Sequence, residues 1–337
     1  MLSRSATRFL GCAAVTVAII ACSNVNEPAI DAPAEAVALA EGSRLNRFGP
    51  YQTDWSVAVP IGNYGPGAHP NFNTTALDGC PAPSRDGKLF FIASTRPGSQ
   101  GIDIWVSARD KESDPWGEPV NVGAPVNSAS NDFCPMLAKD GRFFFVSNRP
   151  GGCGGTDIYV SRRRPDGTFE APENLGCAAD GGVNSNVDEA GPIPLNEPGS
   201  GPVLYFSSVR SGAGDIYRAT WDGGRYRNAG PVTQVNTASV EGQPFVREDG
   251  LEMFFFSNRP GSMLSAAGTP SNDIWYANRA RAKDAWSAPV HLDGRINSGA
   301  SETRPSLSPD GSVLYFGSTR IPGRDNDIHA SQRTTGR

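Results

Sequence analysis

The sequence predicts an all-β chain folded as a five-bladed β-propeller of four-stranded blades, with the last blade closed by the N-terminal strand. Three observations predict it. One pattern of residues recurs five times, every copy carries the same strand and turn signals, and the element missing from the last copy stands near the N-terminus. With Pro81, Pro135, Pro192, Pro244 and Pro305 as anchors, the residue three earlier is always acidic: Asp78, Asp132, Glu189, Glu241 and Glu302. The residue eight earlier is always asparagine: Asn73, Asn127, Asn184, Asn236 and Asn297. Successive anchors lie 54, 57, 52 and 61 residues apart, close to the length of a propeller blade.

Each anchor is read with an inner strand and followed by a turn. The turns are Arg85-Asp86-Gly87, Lys139-Asp140-Gly141, Glu248-Asp249-Gly250 and Pro309-Asp310-Gly311, with Glu197-Pro198-Gly199 as the loosest copy. Asp-Gly between apolar runs marks a hairpin. The runs beyond the turns are Leu89–Ile92, Phe143–Val146, Val203–Phe206, Met253–Phe256 and Val313–Phe316. Short apolar runs rich in aromatic and β-branched residues read as strands buried on both faces. A further strand opens with Asp-Ile at Asp103, Asp157, Asp215, Asp273 and Asp327. The fourth carries an aromatic and then proline: Trp116 and Pro119, Phe169 and Pro172, Tyr226 and Pro231, Trp286 and Pro289. Proline cannot donate to a sheet ladder, so this strand belongs at the edge. The last copy stops after Asp327-Ile328-His329-Ala330-Ser331 without an aromatic-proline strand, and Trp55 to Ile61 supplies one. A ring closed in this way leaves no open seam.

The anchor proline, Asp-Gly turn, aromatic run, Ser-x-Arg and Asp-Ile-aromatic elements resemble the WD40-like β-propeller repeat family, as found in TolB-type proteins and bacterial envelope lipoproteins. The resemblance covers roughly Asp54 to Arg333. The third copy departs from it, with Ser207-Ser208-Val209-Arg210 one residue longer and the following loop reduced to Ser211–Gly214. Propellers serve binding, scaffolding and catalysis alike, so the resemblance implies a fold more than a function.

The 337 residues include 39 Gly and 28 Pro, which suits a many-turned all-β protein, and continuous repetition leaves room for one domain. The expected organisation is a lipoprotein signal peptide at 1–21, a flexible tether at 22–50 and the propeller at 51–337. Arg4 and Arg8 precede an apolar stretch from Phe9 to Ala21, and Ile19-Ile20-Ala21-Cys22 resembles a lipoprotein box with Cys22 as the lipidated residue. An ordinary signal peptide cut nearby is the alternative. The resemblance to the lipoprotein family implies, from Ser23 and not Asp after the cysteine, sorting to the outer membrane in a host with two membranes. Formal net charge is −5, and removing Arg4 and Arg8 takes it to about −7. The chain has no basic run, which argues against nucleic acid as a partner. Four cysteines remain beyond Cys12 and Cys22, and an even number in an exported domain favours disulfides. Cys80 with Cys134, and Cys153 with Cys177, is the expected pairing among three connectivities. The first pair occupies the same slot in neighbouring blades.

The exit loops and middle loops lie on one face, which places the five acids, the five asparagines and Arg96, Arg149, Arg210, Arg259 and Arg320 together. Two readings of this ring are open. In one, each acid pairs with an Arg at the end of a second strand, the Asp of Asp-Ile joins that Arg across the loop, and each Asn bonds backbone groups in its turn. In the other, free carboxylates hold a polar ligand or a cation. Calcium would need about six or more oxygens, which such a ring could supply, and no other cofactor is expected. Catalysis needs groups that break the symmetry. His69, His291 and His329 are the only histidines and fall at unrelated repeat positions. The chain carries no nucleophile elbow, His-Glu-x-x-His or phosphate loop. The expectation is therefore a non-catalytic, lipid-anchored envelope propeller, a monomer binding an envelope protein or a glycan such as peptidoglycan, with the membrane touched through the anchor only. The rival is a glycan-active hydrolase with a carboxylate-lined central funnel. Ser262 to Asn272 and Cys177 to Gly182 are the least repetitive stretches and the candidates for partner selectivity.

Overall fold

Each inner strand begins at the conserved acid and carries the anchor proline inside it, where a bulge makes room. In the first blade Gly79 pairs with Ala93 and Ala82 with Phe91, so one extra residue is accommodated around Cys80 and Pro81. The same shift occurs in all five inner strands. A bulge removes the ladder bond that proline could not make. It also throws the residue before each proline into the left-handed region: Cys80, Cys134, Gly191, Gln243 and Arg304 have φ of 48°, 48°, 59°, 46° and 57°.

The computed structural model describes residues 54–63 and 71–334. The expected signal peptide, the tether, Cys22 and His69 lie outside the described residues. The N-terminal strand β1 is Val59–Pro60. Blade one comprises β2 (Asp78–Pro83), β3 (Leu89–Ser94), β4 (Asp103–Ala108) and β5 (Val120–Asn121). Blade two comprises β6 (Asp132–Leu137), β7 (Arg142–Ser147), β8 (Asp157–Arg162) and β9 (Glu173–Asn174). Blade three has longer strands, β10 (Glu189–Glu197), β11 (Gly201–Ser208), β12 (Asp215–Asp222) and β13 (Arg225–Pro231). Blade four is β14 (Glu241–Val246), β15 (Glu252–Ser257), β16 (Asp273–Asn278) and β17 (Val290–His291). Blade five is β18 (Glu302–Leu307), β19 (Val313–Ser318) and β20 (Asp327–Gln332), with β1 as its outer strand. Each sheet is antiparallel, and the inner strands β2, β6, β10, β14 and β18 contact one another in a closed circle.

The closing strand is short but well anchored. Val59 pairs with Ala330 and Pro60 with His329. Trp55 bridges to Arg333, whose guanidinium stacks 4.7 Å from the indole, and the ring packs edge-on against Phe254 of blade four. In blades one, two and four the edge strand follows the proline and spans two residues, shorter than the sequence implies, because Pro119, Pro172 and Pro289 cannot extend the ladder.

The aromatic runs form the core by facing alternate ways. Phe90 packs into the seam with blade five and Phe91 into the seam with blade two. Equivalent clusters fill the other three seams, so five interblade cores replace one central core. Cys153 and Cys177 are joined, with Cα atoms 5.4 Å apart, tying the middle loop of blade two to its exit loop. The expected Cys80–Cys134 disulfide is not formed: both are free, buried thiols that line an axial cavity together with Arg304.

Candidate functional site

The acidic ring is built into the blades. Asp78, Asp132, Glu189, Glu241 and Glu302 are each fully buried. Asp78 accepts the Thr74 backbone N–H and hydroxyl at one oxygen, and Ser94 Oγ and Arg96 Nη2 at the other, all within 2.6–2.8 Å. Glu241 has the same kinds of partner in Thr237, Ser257 and Arg259, and Glu302 in Ser298, Ser318 and Arg320, but there one oxygen takes the backbone N–H and the other takes both hydroxyls and the Arg. Asp132 pairs with Arg149 at 2.7 Å and Glu189 with Arg210 at 2.9 Å. Every pair joins the acid to the Arg of its own blade. Burial raises the Glu302 carboxyl above its usual range, opposed by the Ser298 hydrogen bond and the Arg320 charge.

The rest of the repeat completes the same device. Each Arg donates to the carbonyl of the residue before the conserved Asn, as Arg96 does to Phe72 at 2.8 Å and Arg259 to Val235 at 2.6 Å. Its guanidinium also lies on the aromatic of Asp-Ile-aromatic: Arg96 is 5.3 Å from Trp105, Arg210 is 4.8 Å from Tyr217 and Arg259 is 5.0 Å from Trp275. Each Asn serves the preceding blade instead of its own turn. Asn127 accepts from Ile104 N–H at 2.9 Å and donates to its carbonyl at 2.8 Å. Asn73 closes the ring by doing the same with Ile328. The Asp of Asp-Ile does not join the Arg. Asp103 and Asp157 accept from Asn121 and Asn174, and Asp273 from His291, because the outer strand presents that side chain to it.

The histidines fall into repeat slots that are occupied by other residues elsewhere. His291 stands where Asn121 and Asn174 stand in blades one and two, and donates to Asp273 at 2.5 Å. His329 fills the aromatic slot of blade five, stacked on Phe316, whose ring lies 5.4 Å from the Arg320 guanidinium. Burial pushes its pKa down to about 4, the Arg320 charge adds to that, and a bond to the Asp327 carbonyl opposes it. His329 is therefore neutral at pH 7.

The non-repeating chemistry lies on the axis and around its mouth. A cavity of about 40 Å³ is lined by Cys80, Cys134, Gly191, Gln243, Arg304 and Ser306 among others, with no carboxylate in its wall. At the hairpin end, Glu248 of blade four pairs with Arg85 of blade one at 2.5 Å and with Lys139 of blade two. At the opposite end two exposed carboxylates stand beside the entry to inner strands. Asp188 directly precedes β10 and accepts from the Thr156 N–H at 2.8 Å. Asp325 precedes Asn326, whose side chain donates to the Asp78 carbonyl at the start of β2. The repeat pattern gave no signal for these residues, since they occupy positions that vary from blade to blade. Among the described residues no group of three or more His, Cys, Asp or Glu side chains is placed to hold a metal ion.

No protein-family model matches the chain, and no curated protein matches it. Solved structures do. A thermostable family-43 glycoside hydrolase is similar at 14% identity with a TM-score of 0.52, covering 76% of this chain and 88% of the other. An α-L-arabinofuranosidase from Podospora anserina, in complex with cellotriose, is similar at 10% identity and a TM-score of 0.51, covering 85% and 99%. A TolB protein from Agrobacterium tumefaciens matches at 17% identity and a TM-score of 0.44, covering 78% and 85%. The two glycoside-hydrolase likenesses agree with the five-bladed fold. They also correct the expectation of a non-catalytic scaffold, which took a symmetric ring as a sign of no catalysis: proteins named as glycoside hydrolases have the same propeller fold.

Proposed function

We propose that this chain is a glycan-active hydrolase whose working carboxylates stand at the mouth of the axial channel. What carries the reading is the five-bladed ring it has in common with glycoside hydrolases, combined with exposed Asp188 at the entry to β10 and exposed Asp325 in the β19–β20 loop beside the start of β2. The five ring acids are excluded from the role by burial and full hydrogen bonding, which leaves the mouth as the source of the pair. Glycoside hydrolysis needs one carboxyl to protonate the leaving oxygen and a second to attack the sugar or activate water. The Thr156 bonds fix one oxygen of Asp188, leaving the other for substrate. The loop from Ser262 to Asn272 and the disulfide-tied loop at Cys177 would shape the sugar subsites. Kinship of the repeats with the WD40-like, TolB-type family, export, and lipid anchorage at Cys22 belong to the same reading, placing the enzyme at the envelope where it meets polysaccharide.

The test is product analysis with arabinan, arabinoxylan and pectic polysaccharide as substrates. The wild type is expected to release shorter sugars. Asp188→Asn and Asp325→Asn are expected to lower turnover by about a hundredfold or more, as loss of a catalytic acid or base does, with unchanged Tm. Absence of product from every glycan, or wild-type turnover in both variants, would reject the reading.

A further inference from the structure

The residues before the anchor prolines share one backbone conformation and differ in chemistry, so the bulges present a non-repeating set of groups to the axis. Cys80 and Cys134 are buried, while Arg304 and Gln243 stay partly exposed beside them. Cys80, Cys134 and Arg304 line the same cavity, and the Arg304 charge and the Cys134 neighbour act on the Cys80 thiol. Gln243 Nε2 donates to Cys134 Sγ at 3.7 Å. Gln243 Oε1, Arg304 Nε and Ser306 Oγ are buried atoms with no hydrogen-bond partner, and all three belong to residues lining the cavity. Buried polar atoms normally have partners, so three orphans around one void point to a small polar guest.

We propose that Cys80 and Cys134 form a peroxide-reactive dithiol on the propeller axis, with Cys80 as the attacking sulfur and Cys134 as the resolving one. The size of the void selects the oxidant. About 40 Å³ accommodates hydrogen peroxide, since about 10–15 Å³ of such space holds one water, and thiols buried in its wall are hard to reach for the much larger glutathione disulfide. Arg304 and Ser306 would donate to the peroxide oxygens, and Gln243 Oε1 would accept its O–H.

The electrostatics divide the labour between the two sulfurs. Burial would raise the Cys80 thiol, but the Cys134 hydrogen bond and the Arg304 charge hold it below its ordinary value. Burial and the neighbouring Cys80 push Cys134 well up, so it keeps its proton. The thiolate is the form that reacts with peroxide. In the first step the Cys80 thiolate attacks one peroxide oxygen, the O–O bond breaks, and sulfenic acid and hydroxide form; the hydroxide takes up a proton to give water. In the second, Cys134 sulfur attacks the sulfenic sulfur, a disulfide forms, and the departing OH takes the Cys134 proton as water. Peroxide is reduced by two electrons and the dithiol is oxidised by two. The closed Cys153–Cys177 bond elsewhere in the chain is a staple, whereas the axial pair is an open couple.

The experiment uses the full chain, treated with mild reductant and then with one equivalent of hydrogen peroxide, followed by acid quench, denaturation, alkylation and peptide mapping. Loss of two hydrogens from the intact mass is expected, with Cys80 and Cys134 losing alkylation together and Cys153–Cys177 unchanged. Cys134→Ser should stop at a Cys80 sulfenic acid that dimedone traps. Glutathione disulfide should react at least about tenfold more slowly, as access to the sulfur dictates. Arg304→Gln should slow peroxide oxidation by about tenfold or more through loss of thiolate character, and Arg304→Lys should restore part of the rate. The proposal is overturned if both thiols stay alkylatable after peroxide, if glutathione disulfide reacts as fast, if Cys134→Ser gives no dimedone adduct, or if the chain is isolated with the axial bond closed and resistant to reductant.

Discussion

His329 makes the folded chain acid-sensitive, and replacing it with phenylalanine should remove that sensitivity. The side chain is 1% exposed, and burial takes its pKa from 6.5 to about 4. Between those values the unfolded chain binds a proton that the folded chain refuses. Stability from this group is therefore complete above about pH 6.5 and declines as pH falls toward 4. A shift of about 2.5 units corresponds to about 3 kcal/mol at the acid end of that window. His329→Phe keeps a ring on Phe316, in a slot that holds Trp or Tyr in the other four blades. It gives up the bond to the Asp327 carbonyl, a cost that does not vary with pH. Glu302, raised by burial, follows the opposite trend in both proteins, so the difference between them isolates His329. Urea unfolding of both from pH 4 to pH 7.5 reads it out. Parallel stability curves for the two proteins would refute the reasoning.

Other parts of the blade give sharper or smaller effects. Arg259→Ala leaves Glu241 buried and short of its cation, and should cost about 3–5 kcal/mol by equilibrium unfolding; a loss under about 1 kcal/mol would contradict the architectural role of the ring. Asn127→Ala strips both bonds to Ile104 across the seam between blades one and two, and should cost about 2–3 kcal/mol, since the freed backbone groups stay buried. Reducing Cys153–Cys177 opens a loop with a sequence separation of 24, worth about 3.5 kcal/mol in the chain-entropy account; the fall in Tm on reduction should vanish in Cys153→Ala/Cys177→Ala.

The fold was legible because its determinants repeat. The acid, the Asn, the Ser-x-Arg and the Asp-Ile recur in every blade because each blade must satisfy the same buried groups, and five copies make the register visible. That sameness left two readings of the ring open, a ligand set or acid–Arg pairs, and the pairs are what the blades contain: Arg96 and its counterparts occupy the acids. The direction of the Asn bonds was not legible, since nothing in the sequence distinguishes Asn127 bonding its own turn from Asn127 bonding Ile104 of the blade before. The axial set was hidden for the opposite reason. Cys80, Gly191, Gln243 and Arg304 have unrelated side chains and are equivalent only through the bulge before proline. Asp188 and Asp325 are equally irregular, as residues that break a fivefold pattern for chemistry must be.

The most direct test of the hydrolase account is digestion of arabinan and pectic polysaccharide in water enriched in oxygen-18, comparing the wild type with Asp188→Asn and Asp325→Asn. The account predicts new reducing ends carrying the heavy oxygen in the wild type and loss of that signal in both variants, with their unfolding curves unchanged. Unlabelled, undegraded glycan in the wild type, or equal labelling in all three proteins, would contradict it.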